Sequence, residues 1–211
     1  VHWIKHIVGV CVLGSLIMSC ASLGTKVRVV NPEALSALET IAIWPIAVVP
    51  LRGKFEEKFP ELNDSILAQS YDARMTCELA SEDAELLLAH YLDSHEMFSV
   101  ISADSVMALV TLHDPSFSRF SKDDWRTYSD LINAQAIILS KLSFAGESWG
   151  TNTYVTLVLC SQHTGEVIVE TKFNTMWGKS YFFPQPIENT MPDAIEGAVK
   201  ALAKAMRKHR P

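Results

Sequence analysis

The chain has 211 residues, 48% hydrophobic and 20% charged, with 18 basic against 24 acidic side chains and a formal net charge of −6. The length suits one domain with a core of its own. A mildly acidic body has no basic field to condense on phosphate, which argues against nucleic acid as a partner.

Residues 1–19 read as an export signal. Lys5, with His2 and His6, makes a short basic flank, and an apolar run from Ile7 to Met18 follows, broken only by small residues. At about 12 residues the run falls short of the roughly 20 that a membrane-crossing helix needs. It closes on Ile17-Met18-Ser19-Cys20. That tetrad resembles the lipobox of bacterial lipoprotein precursors, in which an aliphatic residue, a free position and a small residue precede a cysteine. The resemblance implies a diacylglycerol on the Cys20 sulfur and removal of residues 1–19, with membrane anchoring worth about 0.8 kcal/mol per buried methylene. A plain secretory signal cut near Ala21-Ser22, or an uncleaved anchor, are the alternatives. Cleavage before Cys20 removes Lys5 and leaves 17 basic against 24 acidic residues, a net −7. Of the remaining cysteines, Cys77 lies beside Leu79 and Cys160 in an apolar strand pattern, so both read as buried thiols, with pairing left open.

Residues 20–38 read as a lipid-anchored tether and 39–211 as a single α/β domain. The small residues from Ala21 to Thr25 suit a short spacer. Residues 26–30 can add an edge strand before Asn31-Pro32 turns the chain. The run Thr40-Ile-Ala-Ile-Trp44 is apolar on both alternating sets, the pattern of a central strand covered on two faces, and Pro45 interrupts it. Residues 51–63 turn polar around Phe55 and Phe59 and read as a surface excursion.

Helical signals dominate residues 65–93. Ser81 reads as an N-cap with Glu82, Asp83 and Glu85 in the first turn, and Leu86, Leu87, Leu88, Tyr91 and Leu92 form a stripe to be buried. Met97 to Ile101 is a short strand, followed by a helix from Ser102 through Leu112 that Asp114-Pro115 ends. A further helix is predicted over 122–133, capped by Ser121, with Trp125, Tyr128, Leu131 and Ile132 on one side. Ala134 to Phe144 is a strand buried on both faces in its first half, and Gly146 to Gly150 a loop around Trp149. Thr151 to Ser161 and Glu166 to Phe173 form an antiparallel hairpin turned at Gly165, which permits a positive φ. A final helix is predicted to begin near Pro192, with Ile195, Val199, Leu202 and Met206 on its packing face. The fold class is α/β (α+β), a mixed sheet with helices packed on it.

The layout resembles the α/β domain of bacterial envelope lipoproteins such as the curli secretion protein CsgG and the peptidoglycan-synthase activator LpoB, and the N-terminal domain of TolB. The segments that carry the resemblance are Ile41 to Pro45, Phe98-Ser-Val-Ile101, Asn133-Ala-Gln-Ala-Ile-Ile-Leu139 and Thr164-Gly-Glu-Val167. Asn133 and Gln135 stand where the group often has glycine and aspartate, and Ser140 where it has glycine. No extra amphipathic segments of the kind that build a CsgG-type barrel are evident.

No nucleophile elbow, zinc-helix, Walker or dinucleotide motif is present. His90 and His95 are five apart and do not share a helical face. His163 belongs to a turn, and Asp104-Ser105 to a helix start. No catalytic residue, metal site or cofactor is expected, and the protein reads as non-enzymatic. The better functional wager is aromatic: Trp149, Trp177, Tyr181, Phe182 and Phe183 fall in connections, where they either fold back to cover the open side of the sheet or anchor a protein or stack on a sugar of peptidoglycan. The expected protein is a periplasmic lipoprotein anchored by Cys20 that binds or organises an envelope partner or self-associates. Ala21 and Ser22, with no aspartate after the cysteine, favour the outer membrane over the inner if enteric sorting rules apply. An accessory subunit of a secretion or transport assembly, or a cell-wall hydrolase, are the other readings.

Overall fold

A computed structural model of the protein describes residues 25–48, 71–117, 125–147, 150–175 and 187–210. Its elements in chain order are β1 (Thr25–Val29), α1 (Pro32–Ser36), β2 (Thr40–Ile43), β3 (Ala47–Val48), α2 (Tyr71–Ser94), β4 (Ser99–Ile101), α3 (Ala103–His113), a 3-10 helix (Trp125–Leu131), β5 (Ala136–Glu147), β6 (Gly150–Ser161), β7 (Val167–Asn174) and α4 (Ile187–His209). The seven strands form one mixed sheet in the order β1-β7-β6-β5-β2-β4, with β3 pairing β5 beyond the end of β2. Strand β2 is parallel to both β4 and β5, whereas β5, β6, β7 and β1 run antiparallel in turn across the sheet. This is the expected α/β class, with the C-terminal hairpin followed by a helix.

Alternation along the strands divides the core in two. On the first face, Ile41, Ile43, Ile138, Leu142, Val155, Leu157, Leu159 and Val169 meet α1, α2 and α4 through Leu35, Leu88, Leu92, Ile195, Val199, Leu202 and Met206. On the second face, Ala42, Ile137 and Cys160 meet α3 and the 3-10 helix through Val106, Val110, Trp125, Tyr128 and Ile132. β2 and the start of β5 therefore bury both alternating sets, as their unbroken apolar runs require. Cys160 is a buried thiol; the side chain of Cys77 lies outside the described residues.

Several expectations change. The edge strand expected over 26–30 is β1, paired with β7 along its length, and Leu35 of α1 is wholly buried, so residues 25–38 of the stretch read as tether belong to the sheet and core. Asn31 caps α1, its Oδ1 accepting the Ala34 N–H at 2.9 Å, with Pro32 in the first turn. Ser81 is not an N-cap. It is fully buried ten residues inside a 24-residue α2, where packing of Ala84, Leu88 and Leu92 decides the conformation and local capping preference does not. Glu85 is likewise no first-turn charge. It is buried, and its Oε1 accepts the Ile46 N–H at 2.7 Å, satisfying an amide in the break that Pro45 makes between β2 and β3. Leu86 is 63% exposed, because the buried stripe of α2 is narrower than its run of leucines.

α3 starts as predicted, with Ser102 Oγ accepting the Ser105 N–H at 3.3 Å. Over 125–131 the predicted helix takes the tighter 3-10 form, and Trp125, Tyr128 and, just after it, Ile132 are buried as the pattern required. Gly146, Glu147 and Gly150 are strand residues and not loop, since β5 and β6 stay paired out to Glu147 opposite Gly150. Gly165 turns the β6–β7 hairpin at φ +72°. α4 begins at Ile187, five residues ahead of Pro192, which sits inside the helix and removes one i to i−4 bond without ending it. The 51–63 excursion with Phe55 and Phe59, and the Ser121 cap, lie outside the described residues.

Candidate partner-binding surface

The helices cover the two faces of the sheet unequally. α4 lies over β6, β7 and β1 on the first face. On the second face, α3 and the 3-10 helix pack on the β2–β5 side. Among the described residues nothing packs on the second face over β7 and β1. The result is a broad open groove of about 940 Å³, lined by Arg28, Val30, Glu33, Val158, Val167 and Glu170 among others. Its floor holds apolar and charged side chains together: Val30 and Val167 are exposed, and Arg28 stands directly across from Glu170.

The covered half of the same face is closed by an aromatic cluster. Trp44 stacks on Tyr128 at 6.2 Å between ring centroids, and Phe117 meets both edge-on at 5.7 and 5.3 Å. The Tyr128 hydroxyl donates to Asp114 Oδ2 at 2.9 Å, and the Ser116 hydroxyl and N–H donate to Asp114 Oδ1 at 2.6 and 3.0 Å. These bonds, led by the Ser116 hydroxyl, hold the Asp114 carboxyl below the usual carboxylate range. Arg126 lies 5.2 Å over the Trp125 ring, and its Nη2 donates to the Gly165 carbonyl at 3.4 Å, joining the 3-10 helix to the hairpin turn.

The groove offers binding chemistry more than bond-breaking chemistry. The hydroxyls at its end close the turn: Ser161 Oγ accepts the Thr164 N–H at 3.3 Å, and Thr164 Oγ1 accepts the Glu166 N–H at 3.2 Å. Among the described residues, no group of three histidine, cysteine or carboxylate side chains is placed to hold a metal ion. No described helix is long and apolar enough to cross a membrane.

The residues singled out from sequence are not those of this groove. Cys20, Trp149, Trp177, Tyr181, Phe182 and Phe183 all lie outside the described residues. The groove was not legible because it exists only once β1 pairs with β7. A hint was available in the polar and apolar mixture of residues 26–33 and 166–170.

No protein-family model matches the chain, and no curated protein does. Solved structures do match. A PelC dodecamer from Paraburkholderia phytofirmans, carrying a single leucine-to-methionine substitution, aligns over 85% of this chain and 98% of its own, at 14% identity and a TM-score of 0.48. The LpoB C-terminal domain from Escherichia coli aligns over 66% and 83%, at 14% identity and a TM-score of 0.35. Lipoprotein GNA1162 from Neisseria meningitidis aligns over 79% and 99%, at 11% identity and a TM-score of 0.35. Each is a distant likeness of fold at low identity, without membership of a family.

Proposed function

We propose that the protein is a non-enzymatic envelope lipoprotein, tethered at the periplasmic face of a membrane through acylated Cys20, that binds a protein partner through the open second face of its sheet. The observation that carries this reading is the Ile17-Met18-Ser19-Cys20 tetrad, five residues ahead of the strand that edges the sheet. The groove supports the binding half of the reading. It is wide and open, mixes exposed valines with opposed charges, and shares its face with an aromatic cluster, which suits a polypeptide surface better than a small molecule. Trp149, Trp177, Tyr181, Phe182 and Phe183 remain further anchors under this proposal, with peptidoglycan as the second class of ligand and the outer membrane as the compartment.

A photo-crosslinking side chain at Val167, placed in the protein in its own host, tests the binding half. A discrete envelope adduct is expected, lost when Val158 and Val30 are both changed to Asp. An equal adduct from Lys204 on the opposite side of the molecule, or none from Val167, would count against the groove.

A further inference from the structure

The strand register lines up an unusual row on the same open face. Lys26 on β1 stands opposite Lys172 on β7, Lys172 opposite Thr156 on β6, and Thr156 opposite Lys141 on β5. With strands about 4.8 Å apart, the row crosses four strands in about 14 Å. All three lysines are exposed. Arg28 follows two residues along β1 on the same face, and the one carboxylate in these two rows, Glu170, pairs with Lys172 at 2.8 Å. Lys26, Lys172 and Lys141 make a basic row at one end of this face, on a body that is acidic overall, whereas Arg28 shares the groove with Glu33, Glu166 and Glu170. Charges farther away than a Debye length of about 10 Å are screened, so a surface close to the lysine row feels those lysines more than the net charge of the whole body.

One pair within the row also repels. Like charges directly opposite on paired strands repel, and Lys26 faces Lys172 across the β1–β7 ladder. An extended layer of anions would relieve that repulsion. The row is held close to one. Thr25, at the start of β1, is five residues from Cys20, a reach of at most about 18 Å even when fully extended. A chain anchored at Cys20 cannot carry Lys26 far from the headgroups into which its acyl chains insert.

We infer that the row formed by Lys26, Lys172 and Lys141 docks on the anionic phospholipid headgroups of the leaflet that holds the lipid anchor, and so fixes the orientation of the domain. This rests on the acylation of Cys20 proposed above. Docking would leave α4 and the far side of α2 turned away from the membrane, and would place the groove at the membrane surface, limiting it to partners that approach along that surface.

The test uses the acylated full protein in vesicles of phosphatidylcholine, alone or with about one third phosphatidylglycerol. Amine-reactive labelling is read by mass spectrometry, and the intact mass is measured on the same sample. On anionic vesicles Lys26, Lys141 and Lys172 should label at least threefold more slowly than on neutral ones, while Lys200 and Lys204 on α4 label equally on both. The protection should vanish in about 1 M salt, where the screening length falls to about 3 Å. The variant K26Q/K141Q/K172Q should melt no lower than the parent, yet lose the anionic-lipid protection of its β1 and β7 amides in hydrogen exchange. Acylated protein whose three lysines label equally on both vesicles overturns the docking alone. An intact mass without acyl chains overturns the anchoring as well.

Discussion

Gly197 is where α4 comes down on the sheet, and replacing it tests how closely the two are fitted. A Cβ built there would stand 2.5 Å from Cε2 and Cζ of Phe173 and 2.8 Å from Cδ2. Ordinary carbon contacts lie at about 3.5–4.0 Å, so the ring or the helix must retreat by about 1 Å. Phe173 is held on β7 between Thr25 of β1 and Val155 of β6, and it packs on the first-face core, so the move is resisted. Overpacking of this kind costs about 1–3 kcal/mol, and the better helix propensity of alanine returns about 1 kcal/mol. Gly197→Ala should therefore destabilise by about 1 kcal/mol, lowering Tm by about 2–4 °C for a domain of this size. In a Phe173→Ala background the clash is gone and only the propensity gain remains, so the same change should stabilise by about 1 kcal/mol. The assay is a double-mutant cycle by thermal and urea unfolding. Gly197→Ala that stabilises the parent, or has the same effect in both backgrounds, would refute the close packing of α4 on β7.

Substitutions at two further positions probe the polar fittings of the fold. Glu85→Leu removes the acceptor of the buried Ile46 N–H and should cost about 2 kcal/mol, while Glu85→Gln, which keeps an acceptor, should cost much less; urea midpoints of the two variants decide. Asp114 has a folded pKa below its unfolded value, because of hydrogen bonds from Ser116 and Tyr128. Its contribution is thus present above the unfolded value and lost as pH falls through the folded one. The Tm difference between the parent and Asp114→Asn should be constant above about pH 5 and shrink below about pH 4. A difference that grew on acidification would reverse the assigned sign.

The parts of the fold that sequence made legible are those whose signal is local. Ile41 to Ile43 and Ala136 to Ile138 are apolar without alternation because both faces are covered, and Gly165 turns a hairpin because its backbone needs a positive φ. The misreadings arose where distant contacts outvoted a local preference. Ser81 and the acidic residues after it look like a helix start, yet α2 is continuous because its buried stripe packs on the sheet. Residues 26–30 show a possible edge strand, but that it pairs with β7 at the other end of the chain, and that Leu35 after it joins the core, is not written locally. Pro192 looks like a first-turn residue, although the helix tolerates it one turn further in. The candidate surface was less legible still. The lysine row and the groove are properties of register across four strands, and no window of sequence contains Lys26, Lys172 and Lys141 together.

The most direct test of the lipoprotein reading is the intact mass of the protein purified from membranes of its own host, beside a Cys20→Ser version. The predicted result is a chain that begins at Cys20 and carries the added mass of acyl chains, with the variant losing both processing and membrane attachment. An unacylated mature chain in the soluble fraction would contradict it.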